Sequence, residues 1–416
     1  MSKPVTPTRR KHTILKQLCE HIPAYLVSRL ARESNVSFRT FSPWSHVVSM
    51  LHSHLTHAIG LNDVCDGLKN HSGALSLIRG ATAPSRNGLS NANKTRSSAM
   101  MQKTFWETLN HLESIVPGFG GRSYNGFPRR FKSSIQIIDS TTMALVANCM
   151  DWAKHRRRKA AAKMHMRLDL KSFLPSFAIV DTAKHNDAKR ARELCADLKD
   201  GEIVVFDKAY IDFKHLHDLQ LRGVFWVTRA KDNMDVRCVK RLIKKPKGNI
   251  LRDDIVVLKS KLSFGKYPVK FRRVVAIVEV DKKLVEMTFI SNNMKWSPNS
   301  ICDLYKCRWS IEAFFKQIKQ TLQLSTFLGH SCNAIQWQVW SALLTYILLR
   351  FMAFISQWSH GFRRIFTMLR AVLWDKIDIL SLLKSYGTAK GPPKLANTPK
   401  QMYLTGFRML NGTARG

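Results

Sequence analysis

Apolar residues recur at helical spacing over Trp44–Leu55 and Ser98–Ile115, so the first 116 residues predict a helical domain. Between these stretches Ala81–Lys94 is rich in Ser, Asn, Gly and Pro and predicts a loop. A second break, Pro117-Gly-Phe-Gly-Gly-Arg-Ser-Tyr-Asn-Gly-Phe-Pro128, marks the first domain boundary. The pattern then changes. Ile135–Asp139, Met164–Leu170 and Phe173–Val180 predict strands, Asp187–Leu198 a helix, and Glu202–Asp207 a strand. Phe213–Leu221 predicts a helix and Val224–Thr228 a strand. This β-β-β-α-β-α-β order predicts an α/β domain, a mixed sheet with flanking helices.

From 233 to 294 the pattern is β-only, with runs at Ile255–Leu258, Arg272–Val280 and Val285–Ile290 and a hairpin turn at Asp281-Lys-Lys283. It predicts an all-β insertion. Helices return over Ile301–Leu322 and Ala334–Ser356, and the chain ends in a helical segment and a basic tail that includes Gly387–Pro393. The expected segments are 1–116 (helical), 130–232 and 295–360 (the two parts of the α/β domain), 233–294 (insertion) and 361–416 (C-terminal). The long uncharged run Ser331–Leu349 contains Asn333, Gln336, Gln338, Ser341 and Thr345, and Arg350 follows it. It reads as a buried helix, and no membrane association is expected.

Composition narrows the function. The 416 residues carry 67 Lys+Arg against 29 Asp+Glu, a net charge of +38, which predicts a polyanionic partner with nucleic acid ahead of a membrane surface. A hydrophobic share of 45% excludes wholesale disorder. The eight cysteines form no CxxC pair and no zinc-spaced cluster. No apolar segment follows the basic start at Arg9-Arg-Lys11. Reduced thiols in a cytoplasmic protein are the expectation.

Asp139 and Asp207 each close an apolar run, and ligands gather at strand carboxyl ends in open α/β sheets. Two such carboxylates can share a divalent metal, or each can cap its own turn. Tyr305, Arg308, Glu312 and Lys319 follow at spacings of three, four and seven, which on one continuous helix is a single stripe. Glu312 is the candidate third acid, with Arg308 and Lys319 for phosphates. The plainer reading is an i,i+4 Arg308–Glu312 pair, worth a few tenths of a kcal/mol.

Tyr305-x2-Arg308-x3-Glu312-x6-Lys319 resembles the YREK signature of DDE transposases of the insertion-sequence-four family. Ile137-Ile-Asp139-Ser-Thr-Thr resembles that family's first-Asp motif, and Val205-Phe-Asp207-Lys-Ala-Tyr210 its second, with Lys208 where Arg is common. Residues 30–115 resemble a short domain often attached to such enzymes. The resemblance implies a ribonuclease H-like core and cut-and-paste transposition at terminal inverted repeats. It implies that Asp139, Asp207 and Glu312 are catalytic and hold two Mg²⁺ ions, for which Mn²⁺ can substitute. It also implies double-stranded DNA as partner, both element ends and target, and a homodimer on DNA. Tyr305, Arg308, Lys319 and Lys208 would contact DNA, with Lys163 and His165 of a Lys-x-His pattern beside them. Trp296 is the candidate to stack a flipped base, with Trp226 and Trp309 as rivals. Basic runs at Lys154–Lys159 and Lys240–Lys247 suit phosphate contact or a solvated face. His185 and Asp187 suit local turn bonding. A nuclease or resolvase without strand transfer, or a non-catalytic DNA-binding relic, are the alternatives.

Overall fold

The computed structural model describes residues 7–386 except 120–130, 146–153, 157–158, 183–186, 281, 323 and 325–326. The chain opens with helices α1 (Ile14–Glu20), α2 (Leu26–Glu33), α3 (Pro43–Thr56), α4 (Leu61–Asn70), α5 (Ser72–Ser76), α6 (Arg86–Thr95) and α7 (Ser98–Ile115). Local capping explains several starts. Ser42 accepts from the Ser45 amide ahead of Pro43, and Ser85 accepts from the Gly88 amide. The second cap starts α6 inside the expected Ala81–Lys94 loop, because Leu89 and Ala92 find a core to pack against.

The sheet follows. Its strands are β1 (Ile135–Leu145), β2 (Lys154–Arg156), β3 (Lys159–Asp169), β4 (Pro175–Thr182), β5 (Ile203–Phe206), β6 (Phe225–Arg229), β7 (Val236–Arg241), β8 (Ile250–Leu258), β9 (Phe271–Val280) and β10 (Lys283–Ser291). They form one ten-stranded sheet in the order β2-β3-β1-β5-β6-β10-β9-β8-β7, with β4 also on β3. β1, β5 and β6 are parallel neighbours, whereas β1–β3 and β6–β10 are antiparallel. Between strands lie α8 (Asp187–Leu194), α9 (Phe213–Leu221) and α10 (Lys261–Lys266).

The 233–294 segment departs from the expected all-β insertion. It contains the short helix α10, and β10 pairs directly with β6, so its strands extend the main sheet. The edge of β6 would otherwise carry unpaired amides, and β10 satisfies them.

Burial alternates along the central strands. Ile135, Ile137 and Val205 face one core; Ile138, Val204 and Phe206 face the other. The second core is roofed by α8 and α9. The first is roofed by α11 (Pro298–Cys307), α12 (Trp309–Lys316), α13 (Cys332–Ile355), α14 (Phe362–Ala371) and α15 (Ile379–Tyr386), and it continues without a break into α1–α7. Helix α13 is the one helix among the described residues long and apolar enough to cross a membrane. In its most apolar window 89% is buried inside the protein, against α3, α6, α7 and α14. Its uniform apolarity suits a helix buried on all sides. The basic tail from Gly387 onward lies outside the described residues.

Candidate active site

Asp139 does not end its strand. The β-branched pair Thr141-Thr142 favours continued strand, and β1 stays paired with β3 as far as Leu145↔Ala160, while pairing with β5 stops at Ile138↔Phe206. Asp139 therefore stands in mid-strand where the parallel neighbour ends. Asp207 follows Phe206 directly, in extended backbone before a 3-10 turn at Lys208–Tyr210. The register puts the two carboxylates side by side on adjacent strands.

The expected helix over Ile301–Leu322 is irregular in its hydrogen bonding, although Arg308, Lys316 and Gln317 all keep right-handed helical backbone. Helix α11 ends at Cys307, Arg308 sits at the junction, and α12 begins at Trp309. Gln317–Thr321 then forms a π turn that carries Lys319. Of the four residues, Tyr305 and Arg308 contact the two aspartates, and Arg308 also links Glu312 to them. Tyr305 donates its hydroxyl to Asp207 Oδ1 at 3.0 Å. Arg308 donates Nη1 to Asp139 Oδ2 at 2.5 Å and places Nη2 3.1 Å from Glu312 Oε1. The Arg308–Glu312 pair is thus present, but as half of a bridge to another element, with the Arg308 side chain almost buried and Glu312 open to solvent. Arg308, expected on phosphate, here rests on carboxylates. Lys319 reaches the same strand, donating Nζ to the Thr142 carbonyl at 2.6 Å.

One guanidinium serves three acids. Burial pushes Asp139 up to about 6, Arg308 and the Ser140 amide pull the other way, and Asp207 and Glu312 push it further up. Burial opposes the Arg308 charge, but Asp139, Tyr305, Glu312 and Asp207 around it raise its pKa overall. Both partners rise because the cluster holds more negative than positive charge: the arginine gains from every neighbour and the buried acid does not. Burial raises the Tyr305 phenol, Arg308 opposes and Asp207 adds. Burial lowers Lys319. Arg308 Nε is buried and has no hydrogen-bond partner among the described residues. Among the described residues no three His, Cys, Asp or Glu side chains stand close enough to share a metal ion as placed. Arg308 stands between Asp139 and Glu312.

Beside Asp139 lies a buried polar chain that sequence reasoning missed in part. His165, opposite Ser140 on β3, is fully buried, so it cannot line a DNA track. Its Nδ1 lies 3.0 Å from the Tyr210 hydroxyl and 3.8 Å from Asp187 Oδ1, and burial lowers its pKa to about 4. Tyr210 also hydrogen-bonds Ser140, next to Asp139. Lys163 is closed into an ion pair with Asp187, so Asp187 does more than bond its own turn. The motif Asp207-x-x-Tyr210 was the available signal for Tyr210. Lys208 pairs with Asp232 at 2.7 Å near the surface.

The tryptophans are packed rather than free. Trp226 is core, Trp296 lies between Phe131 and Phe225, and Trp309 is half-buried against the first core. Of the basic runs, Lys240, Arg241, Lys244, Lys245 and Lys247 are exposed along and beyond edge strand β7. The side chains of Lys154–Lys159, and His185, lie outside the described residues.

Comparison with known proteins gives this geometry its context. A Sinorhizobium fredii protein that carries a transposase name is 29% identical over 303 residues, 72% of this chain and 80% of its own length. The Escherichia coli (strain K12) transposase InsG for insertion sequence element IS4 is 26% identical over 198 residues, 45% of this chain and 43% of its own length. A solved piggyBac transposase synaptic complex with hairpin DNA overlaps 88% of this chain and 82% of its own at 10% identity and a TM-score of 0.41. Residues 10–78 match a family described as a domain of unknown function. Residues 130–348, more than half of the chain, match the family described as Transposase DDE domain. On that match and those relatives, the chain belongs to the DDE transposases of the insertion-sequence-four family, enzymes that act on DNA.

Proposed function

We propose that the protein carries out cut-and-paste transposition, with Asp139, Asp207 and Glu312 as the catalytic carboxylates of a ribonuclease H-like core. The observation that carries this reading is the convergence of acids from three distant parts of the chain. Asp139 and Asp207 are neighbours across the β1–β5 register, and Arg308 ties Asp139 to Glu312.

The donor set fits a hard divalent cation. Three carboxylates crowd round a single arginine, and Asp139 is pushed up to about 6 by burial and by the other two acids. Added positive charge would relieve that crowding. Asp139, Asp207 and Glu312 would hold two Mg²⁺ ions, with Mn²⁺ able to replace them. When bound, such ions supply Lewis-acid stabilisation and make a hydroxyl nucleophilic at neutral pH. The chain's own residues position and neutralise. Tyr305 orients Asp207 through its hydroxyl. Arg308 keeps Asp139 ionised and retains an unspent Nε donor for a phosphate oxygen. Lys319 and Lys208 supply point charges near the same strand ends.

The exposed cations of β7 and the turn beyond it track the DNA backbone without reading sequence. Residues 1–116 would recognise the inverted repeats, and two protomers would hold the two ends. Cleavage of a labelled element end in Mg²⁺ tests the site: the parent cuts, and Asp139→Ala, Asp207→Ala and Glu312→Gln bind the end but do not cut it. Any of the three cutting as well as the parent overturns the assignment. Joining of pre-cleaved ends to target DNA separates a transposase from a nuclease of the same chemistry.

A further inference from the structure

The N-terminal helices carry a cavity of about 720 Å³ remote in sequence from the acids, within the range of small-ligand sites. Its wall is unusual for a structural domain. Tyr25 is 85% exposed and Phe38 is 54% exposed, and both line the cavity with Trp44. Tyr25 is held at φ +64°, a left-handed conformation that a bulky residue rarely adopts. That backbone, at the start of α2, aims an aromatic ring into solvent between this cavity and a second, shallower one of about 610 Å³. Burying the ring would have removed roughly 150–250 Å² from water, so its exposure forgoes a large stabilisation.

The charge is one-sided. Arg32 and Arg79 line the cavity, and among the described residues no carboxylate does. Arg79 lies over the Trp44 ring at 4.9 Å and donates to the Ile22 carbonyl at 2.8 Å, which fixes its charge at the rim. Its own backbone is also left-handed, at φ +51°. Arg32 has no side-chain partner among the described residues, whereas neighbouring Arg29 is spent on Glu33 and Glu107.

Flat aromatic faces beside unneutralised arginines in a concave site match the chemistry of an unpaired nucleotide: a π face to stack and a phosphate to neutralise. We propose that this cavity binds an unpaired nucleotide of the DNA substrate, stacked on Tyr25 and Phe38 with its phosphate on Arg32 and Arg79. This rests on the DNA-transposing reading and gives the 10–78 domain a role in it: holding a strand opened near the element end. A paired duplex presents only base edges and cannot fill these faces.

The test uses the full chain and a labelled thymidine oligonucleotide at high salt, where backbone attraction is suppressed and stacking persists. Tyr25→Ala and Phe38→Ala weaken binding about tenfold or more each. Tyr25→Phe keeps the ring and binds like the parent. Arg32→Ala weakens binding and flattens its salt dependence. The inference is overturned if Tyr25→Ala binds the oligonucleotide like the parent, or if Tyr25→Phe loses as much as Tyr25→Ala. It is equally overturned if duplex competes as well as single strand, or if Tyr25→Ala leaves DNA binding intact and shifts a dimer to monomer, which would make the occupant a second copy. Cleavage of an element end by the parent, run alongside, shows whether the transposition reading stands independently.

Discussion

Two buried polar regions of this protein handle titratable groups in opposite ways. Midway along β1 and just past the end of β5, acids stay beside a cation: Asp139, Asp207 and Glu312 gather round Arg308 and Tyr305. Along the seam between α3 and α13, histidines are buried without counter-ions. His46 stacks on Trp337 and lies 2.8 Å from Asn93, and His54 sits 2.9 Å from the Ser341 hydroxyl and 3.2 Å from the Leu322 carbonyl. Burial lowers His46 to about 3, and His52 and His54 to about 4. Each of these rings is held neutral, so the seam carries no unanswered charge, although His46 Nδ1 and His52 Nδ1 have no hydrogen-bond partner among the described residues. The acid cluster is incomplete, with excess negative charge and an orphaned Arg308 Nε. A structural region can bury titratable groups by keeping them neutral; a region built for a charged ligand leaves some charge unanswered.

The largest effect that could break this contrast lies in the chemistry. Asp139→Ala, Asp207→Ala or Glu312→Gln should lower cleavage of an element end by at least about a thousandfold. His54→Ala should leave cleavage per folded molecule unchanged. Gel assays at matched folded concentration decide it, and a His54 variant that folds yet fails to cut would erase the distinction.

Stability comes next. Arg308→Ala strands Asp139 beside two other acids and should lower stability by about 3–5 kcal/mol in urea titrations. His54→Ala leaves the Leu322 carbonyl unanswered, while the Ser341 hydroxyl keeps its bond to the Gln338 carbonyl, and should lower it by about 1–3 kcal/mol. Asp139→Asn should do the reverse and stabilise the divalent-free protein at neutral pH by about 2 kcal/mol. Mg²⁺ should raise the melting temperature of the parent and not of Asp139→Asn.

The pH dependence sharpens the same comparison. Asp139 is raised from 3.8 to about 6, so its contribution is present below about pH 4 and is lost as pH rises through 6. His46, His52 and His54 are depressed from 6.5, so theirs is present above pH 6.5 and is lost as pH falls towards 4 and 3. Between about pH 6 and 4 the two regions pull in opposite directions. Asp139→Asn should therefore lose stability more steeply on acidification than the parent, read as urea midpoints across that window.

The smallest effects belong to the surface. Replacing Lys240, Arg241 or Lys244 singly should weaken DNA binding a few-fold and reduce the log–log salt slope by about 0.9 for each phosphate no longer neutralised. Unchanged slopes would make the β7 edge a solvated face.

Much of this was legible beforehand because it rests on local pattern. The α9 helix over Phe213–Leu221 and the β9–β10 pair follow from periodicity. The motif residues Asp139, Asp207, Tyr305, Arg308 and Glu312 do meet. Less legible was what depends on partners. The Ala81–Lys94 segment has loop composition, yet α6 forms there because α13 and α4 supply a surface for Leu89. His165 reads as a polar residue available to DNA, but a strand residue faces solvent or core according to its neighbours, and here β4 and the 3-10 turn cover it.

By itself the sequence determined the charge of the molecule, the strongly periodic helices and strands such as Ser98–Ile115 and Arg272–Val280, and the spacing of acids, arginine, tyrosine and lysine, since these depend only on residue type and separation along the chain. Tertiary structure alone decided that β7–β10 would extend the main sheet, and that Arg308 would bridge Asp139 and Glu312. Those outcomes turn on which unpaired strand edge and which buried charge come within reach. Groups far apart in the chain compete for them, and local pattern carries no record of that competition.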